Sequence, residues 1–137
     1  MIVYLDSSVV LRVLLGQKNA WKEWGKWDQA YSSSLLHLEA RRVIDRLRLE
    51  SVLDDHGVAH VGAELRRIER AINRIALSRS VLDRASMPMP TVVKTLDAIH
   101  LATGLIVRER LHQDLIFVTH DAQQATAARS LGFECRT

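Results

Sequence analysis

Met1-Ile2-Val3-Tyr4-Leu5-Asp6-Ser7-Ser8-Val9-Val10 opens the chain and decides how the rest is read. Ile2 to Leu5 form an unbroken apolar run of the kind shown by strands buried on both faces. The run stops at a carboxylate and two hydroxyls, and apolar residues at helical spacing (Val9, Val10, Val13, Leu14) follow at once. This is a strand–turn–helix start with Asp6 at the carboxyl end of the strand. In open α/β sheets ligands bind at that end, near the point where strand order reverses. If the strand is central, Asp6 sits where chemistry would be. The alternative is that Asp6, Ser7 or Ser8 simply caps the helix.

Working outward, residues 16–20 read as a break and residues 21–30 as a short second helix carrying Trp21, Trp24 and Trp27. Ser32, Ser33, Ser34, Leu35 and Leu36 suggest a short strand running into a helix over about 38–53, with Leu36, Ala40, Val43 and Leu47 along one side. After a break at 54–57, Leu65, Ile68, Ile72 and Ile75 mark a long amphipathic helix. Val81 and Leu82 suggest a short strand. The two prolines at 88 and 90 make 87–90 a loop. A helix apolar on nearly every side follows over about 91–109. Leu115, Ile116, Phe117 and Val118 are the clearest strand after the first, and Thr119-His120-Asp121 ends it. An alanine-rich helix (122–131), a closing Gly132 and a last strand (133–135) complete the chain. Strands alternating with helices imply a parallel sheet covered on both faces.

The 137 residues suffice for one domain with a real core. The single Cys135 excludes an internal disulfide and a cysteine-based zinc site, which makes a reducing cytoplasm the simplest location. No stretch approaches the roughly 18 apolar residues of a membrane span. The chain enters a strand without a basic leader, so no signal peptide is expected. The net charge is +3. Its arginines cluster (Arg41, Arg42, Arg46, Arg48, then Arg66, Arg67, Arg70, Arg74), which suits a polyanionic partner. Interleaved Glu39, Glu50, Glu64 and Glu69 suit a solvated helix face equally well.

Four carboxylates carry the functional reading. Asp97 lies among Val93, Leu101 and Gly104 on a helix that reads as buried, where a lone charge costs several kcal/mol unless a salt bridge or a cation compensates it. Glu39 falls in the first turn of a helix after a strand, a favourable position for an anion. Asp121 repeats the situation of Asp6. Carboxylates gathered at one end of a sheet repel, and hard divalent cations bound through oxygen, Mg²⁺ or Mn²⁺, relieve that repulsion. The chemistry such ions favour is phosphodiester hydrolysis.

Tyr4-Leu5-Asp6-Ser7-Ser8, Leu38-Glu39-Ala40, Leu96-Asp97-Ala98-Ile99-His100-Leu101-Ala102-Thr103 and Val118-Thr119-His120-Asp121 together resemble the four acidic motifs of PIN-domain ribonucleases. Length and order resemble the VapC-type toxins of bacterial toxin–antitoxin pairs. The resemblance spans residues 1–137 as one domain. It implies a three-layer α/β/α fold with about five parallel strands in the order 3-2-1-4-5, and an acidic site of Asp6, Glu39, Asp97 and Asp121. Thr119 matches the family's hydroxyl two residues before the last Asp. Ser8 departs from it, standing where many members have Asn. The resemblance further implies a Mg²⁺- or Mn²⁺-dependent endoribonuclease that inhibits translation by cleaving tRNA, rRNA or mRNA. Its products would carry 5′-phosphates and 3′-hydroxyls, and its partners would be a cognate antitoxin and a second copy in a homodimer.

A haloacid-dehalogenase-like phosphatase would want a second Asp two residues after the first, where Ser8 stands. A non-catalytic RNA- or protein-binding module with the same fold is the rival from another class. His100 reads as a satisfied core or supporting residue before a ligand. Trp21, Trp24 and Trp27 read as core or protein-binding residues before RNA-stacking ones. An apolar antitoxin helix is expected to dock beside them and the Leu65–Ile75 stripe.

Overall fold

A computed structural model describes all residues 1–137. Five parallel strands lie in the order β3-β2-β1-β4-β5, and six helices connect and cover them. β1 (Ile2–Leu5) is central, pairing Tyr4 with Tyr31 of β2 (Gln29–Ser33) and with Phe117 of β4 (Ile116–Val118). β3 (Asn73–Ile75) and β5 (Glu134–Arg136) form the edges. No helix is long and apolar enough to cross a membrane.

Alternation along β1 divides the core. Val3 and Leu5 point to one face and pack, with Ile116 and Val118, against α1 (Ser7–Leu14), α2 (Leu35–Leu49) and α3 (Asp55–Ala71). Tyr4 and Phe117 point to the other, under α5 (Thr95–Leu111) and α6 (Ala122–Ser130). α4 (Arg79–Ala85) lies outside α5, with Val81 buried against Ile99 and Ile106. Each fully buried aliphatic or aromatic side chain contributes roughly 1.5–3 kcal/mol. α5 comes close to the sheet because Gly104 has no Cβ; one placed there would stand 3.2 Å from the Phe117 ring.

Several elements differ from the sequence reading. The tryptophans lie in turns, not a helix: Gly25 adopts φ 80°, and the strand begins at Gln29. Trp21 is buried and stacks on Trp27 (6.1 Å between centroids, 5° between planes), while Trp24 meets Trp27 edge-on. Their three-residue spacing serves this stack, with Trp24 and Trp27 half-buried. α2 starts three residues early, at Leu35, and its buried side is Leu35, Leu36, Ala40 and Ile44; Val43 and Leu47 are only half-buried. α3 stops at Ala71, so Ile75 belongs to β3. Val81 and Leu82 are helical. α5 starts at Thr95 rather than about 91.

Half of the eight clustered arginines are paired along their own helices: Arg42 and Arg48 with Asp45, Arg46 with Glu50, Arg67 with Glu64. Arg74 reaches Glu69, which is buried and also bonds His37. The solvated-face reading fits these stretches better than the polyanion one.

Candidate active site

The chain lays β2 and β3 on one side of β1, then crosses to lay β4 and β5 on the other. The crevice between the carboxyl ends of β1 and β4 is therefore the switch point of the sheet, where ligands of such folds bind. The two strand ends are tied together. The Asp6 N–H donates to the Val118 carbonyl at 3.0 Å, and the His120 N–H donates to Ser8 Oγ at 3.1 Å.

Asp6 is buried, and its side chain does cap a helix: Oδ2 accepts from the Ser8 N–H at 3.1 Å. The same oxygen accepts from the Ser8 hydroxyl and from Thr119 Oγ1 at 3.2 Å. Thr119 Oγ1 in turn accepts from the Asp121 N–H at 3.0 Å and lies 2.7 Å from the Gln124 amide. With the Gln124 NH₂ turned toward Thr119, the threonine proton is left for Asp6, and the other end of the buried Gln124 amide has no protein partner. Asp121 caps α6, its Oδ1 accepting from the Gln124 N–H at 2.8 Å. Capping and a place at the site are thus compatible for both aspartates.

Glu39 reaches the crevice from the first turns of α2. Its Oε1 accepts from Ser7 Oγ at 2.8 Å and from His100 Nε2 at 2.7 Å. With Nε2 as donor, the neutral ring accepts at Nδ1 from the Tyr4 hydroxyl, 2.8 Å away. His100 is buried, and its Nε2 is also 3.8 Å from Asp6 Oδ1. Burial opposes its charge, but the bond to Glu39 and the nearby Asp6, Glu39 and Asp97 outweigh burial and raise its pKa. His120, half-buried on the other rim, is held below the usual histidine range by burial and by Arg12.

Asp97 lies in the first turn of α5. It is not the buried mid-helix carboxylate of the sequence reading but a half-exposed one at the favourable end of the helix dipole. No arginine or lysine bridges it, and no protein donor bonds it. Burial, then Asp6 and Asp121, push its pKa up; His100 and Lys94 pull the other way more weakly. Asp6, Asp97 and Asp121 therefore lie within electrostatic reach of one another, and Glu39 joins them through Ser7 and His100. Sequence reasoning missed Tyr4, Ser7 and Gln124 as supports. Tyr4 and Ser7 stood within the first motif, but their bonds to His100 and Glu39 cross the fold, and Gln124 bonds Thr119 from the first turn of α6.

Each carboxylate keeps an oxygen that no protein group occupies: Asp6 Oδ1, Glu39 Oε2, Asp121 Oδ2 and both oxygens of Asp97. None is a buried unpaired atom, so all are open to solvent. No three His, Cys, Asp or Glu side chains converge closely enough to enclose an ion between them. The donors accordingly fit a hard cation held by one or two carboxylates and otherwise hydrated, the usual habit of Mg²⁺, rather than an all-protein cage.

Among known proteins, Ribonuclease VapC47 of Mycobacterium tuberculosis (strain CDC 1551 / Oshkosh) is 25% identical over 138 residues, covering 96% of this chain and 93% of that protein. The model of the PIN domain matches residues 3–130, a span that runs through all four acidic positions. The chain belongs to the PIN-domain family.

Proposed function

We propose that the protein is a Mg²⁺- or Mn²⁺-dependent endoribonuclease and the toxin of a toxin–antitoxin pair, inhibiting translation by cutting RNA. The observation that carries this reading is the set of open carboxylate oxygens at the switch point, on a PIN-domain chain similar to a protein named as a ribonuclease. Asp6 and Asp97 would hold the metal, with Glu39 and Asp121 binding it or its water ligands. When bound, such an ion supplies a water of lowered pKa and offsets charge on the scissile phosphate.

The chain's own residues do the rest. Ser8 and Thr119 fix Asp6 Oδ2, which leaves Oδ1 without a protein donor. Ser7 and His100 hold Glu39 Oε1, which leaves Oε2 as a proton acceptor or a water anchor. Tyr4 fixes the His100 ring from behind. Asp121, anchored by Oδ1 on α6, offers Oδ2. A cognate antitoxin and a second copy of the chain are the partners proposed with this reading.

The rival of a non-catalytic binding module draws support from the lack of a three-ligand chelate. Purified protein incubated with total RNA separates the two. Cleavage with Mg²⁺ or Mn²⁺ that stops with EDTA, leaving 5′-phosphate ends, supports the nuclease. Intact RNA in either metal overturns it.

A further inference from the structure

Beside the acidic crevice lies a concave surface of opposite charge. A cavity of about 700 Å³ is walled by Arg12, Lys22, Arg129, Arg136 and His120 and by one acidic side chain, Glu23, together with Trp21 and its neighbours. Arg136 is already committed to Glu23 at 2.7 Å and Glu134 at 2.8 Å. Arg12, Lys22 and Arg129 have no acidic partner, unlike most arginines of α2 and α3. The His120 ring belongs to the same wall. Three cations without acidic partners around one cavity suit an anion with several oxygens.

The location narrows the choice. His120 stands between Thr119 and Asp121, and its N–H bonds Ser8 Oγ, so cavity and crevice share the 119–121 turn. Apart from Ala20, Trp21 and Cys135 the wall is polar, and Trp21 is itself buried. An acidic peptide would find little apolar anchorage there, whereas a sugar–phosphate backbone needs none.

We infer that this cavity holds a backbone phosphate of single-stranded RNA next to the scissile one, gripped by Arg12, Lys22 and Arg129. The inference rests on the ribonuclease reading for its position along the strand. Each phosphate contact contributes about 0.7 to the slope of log affinity against log salt for a single strand.

The test is binding of a labelled RNA of about ten nucleotides in EDTA over a salt series. Wild type is compared with the triple variant Arg12→Ala/Lys22→Ala/Arg129→Ala and with the control Arg42→Ala/Arg67→Ala. The triple variant should bind at least about tenfold more weakly at low salt, with a slope smaller by about 0.7, and the control should match wild type. In cleavage assays its KM should rise by more than kcat falls. A folded triple variant with unchanged affinity and slope overturns the proposal. Arg129→Glu, on an exposed position of α6, replaces the triple variant if that does not fold. Wild type that cleaves RNA beside an unchanged triple variant removes the subsite alone. RNA binding that depends on these residues, with no cleavage in either metal, removes the nuclease reading and keeps the anion site.

Discussion

Asp6 and Asp97 face the same crevice and are treated in opposite ways by the fold. Asp6 is the more buried, yet a backbone N–H and two hydroxyls converge on one of its oxygens. Asp97 is half-exposed, yet nothing donates to it, and its charge is opposed by burial and by two other aspartates. Donors rather than exposure decide which carboxylate the fold supports. Asp6 is built into the scaffold, whereas Asp97 has no protein donor to support its charge.

Asp97→Asn strikes the unsupported half and should have the largest effect. Cleavage should fall by about two orders of magnitude or more, since a group facing the reacting atoms is lost. Metal-free stability at neutral pH should stay level or rise, because a repelled charge is removed. The melting-temperature rise produced by Mn²⁺ should shrink. If Asp97 were half of a structural ion pair, its loss would instead cost about 3–5 kcal/mol with the Mn²⁺ gain intact. Melting curves of both proteins with and without Mn²⁺ decide.

Asp6→Ala strikes the supported half. It removes the cap of α1 and leaves Ser8 and Thr119 without their acceptor, so metal-free stability should drop by about 2 kcal/mol. Urea titration in EDTA measures this. A drop no larger than that of Asp97→Asn would erase the distinction between the two halves.

Tyr4→Phe leaves His100 Nδ1 buried without a partner, at a cost of about 1–3 kcal/mol. Because the His100–Glu39 bond remains, kcat should fall less than about tenfold. A loss as large as that of Asp97→Asn would move Tyr4 from the scaffold into the chemistry.

The smallest expected effect is on the pH dependence of stability. The folded-state pKa of Asp97 is raised, so the native state holds its proton longer than the unfolded chain does. Its contribution is fully present below the unfolded value near 3.9 and is lost as pH rises through the folded value. Urea midpoints of wild type relative to Asp97→Asn should therefore decline from about pH 4 toward neutrality in EDTA. His100, also raised, has the same sign at higher pH: its contribution is present below about 6.5 and lost as pH rises through its folded value. A wild type that gains on Asp97→Asn over the acid range would mean that Asp97 has a cationic partner.

Much of this was legible in residue order. The apolar run at 2–5, the run at 115–118 and the carboxylates that end each one specified the central strands and the crevice. The strand order came with the family motifs rather than with periodicity. What stayed hidden depends on long-range pairing. β3 is three residues at a sheet edge with two exposed side chains, so no alternation marks it. Ile75 continued the helical spacing of Leu65, Ile68 and Ile72 across a helix end. Asp97 was misjudged because α5 starts later than its apolar run, which places the aspartate at a terminus rather than in an interior. The uncompensated cations of the basic cavity are scattered through the chain at positions 12, 22 and 129 and form no cluster in sequence, while the visible arginine clusters are largely neutralised by their neighbours.

The stacked indoles have a spectroscopic consequence. All three tryptophans of the chain stand in the one loop between α1 and β2, with Trp21 and Trp24 each in ring contact with Trp27. Intrinsic fluorescence and the indole bands of near-ultraviolet circular dichroism therefore report on that loop alone. Far-ultraviolet ellipticity reports on the six helices. Coincident midpoints from the two signals would mean that the loop melts with the sheet it packs on, and a lower fluorescence midpoint would identify it as a separately unfolding unit.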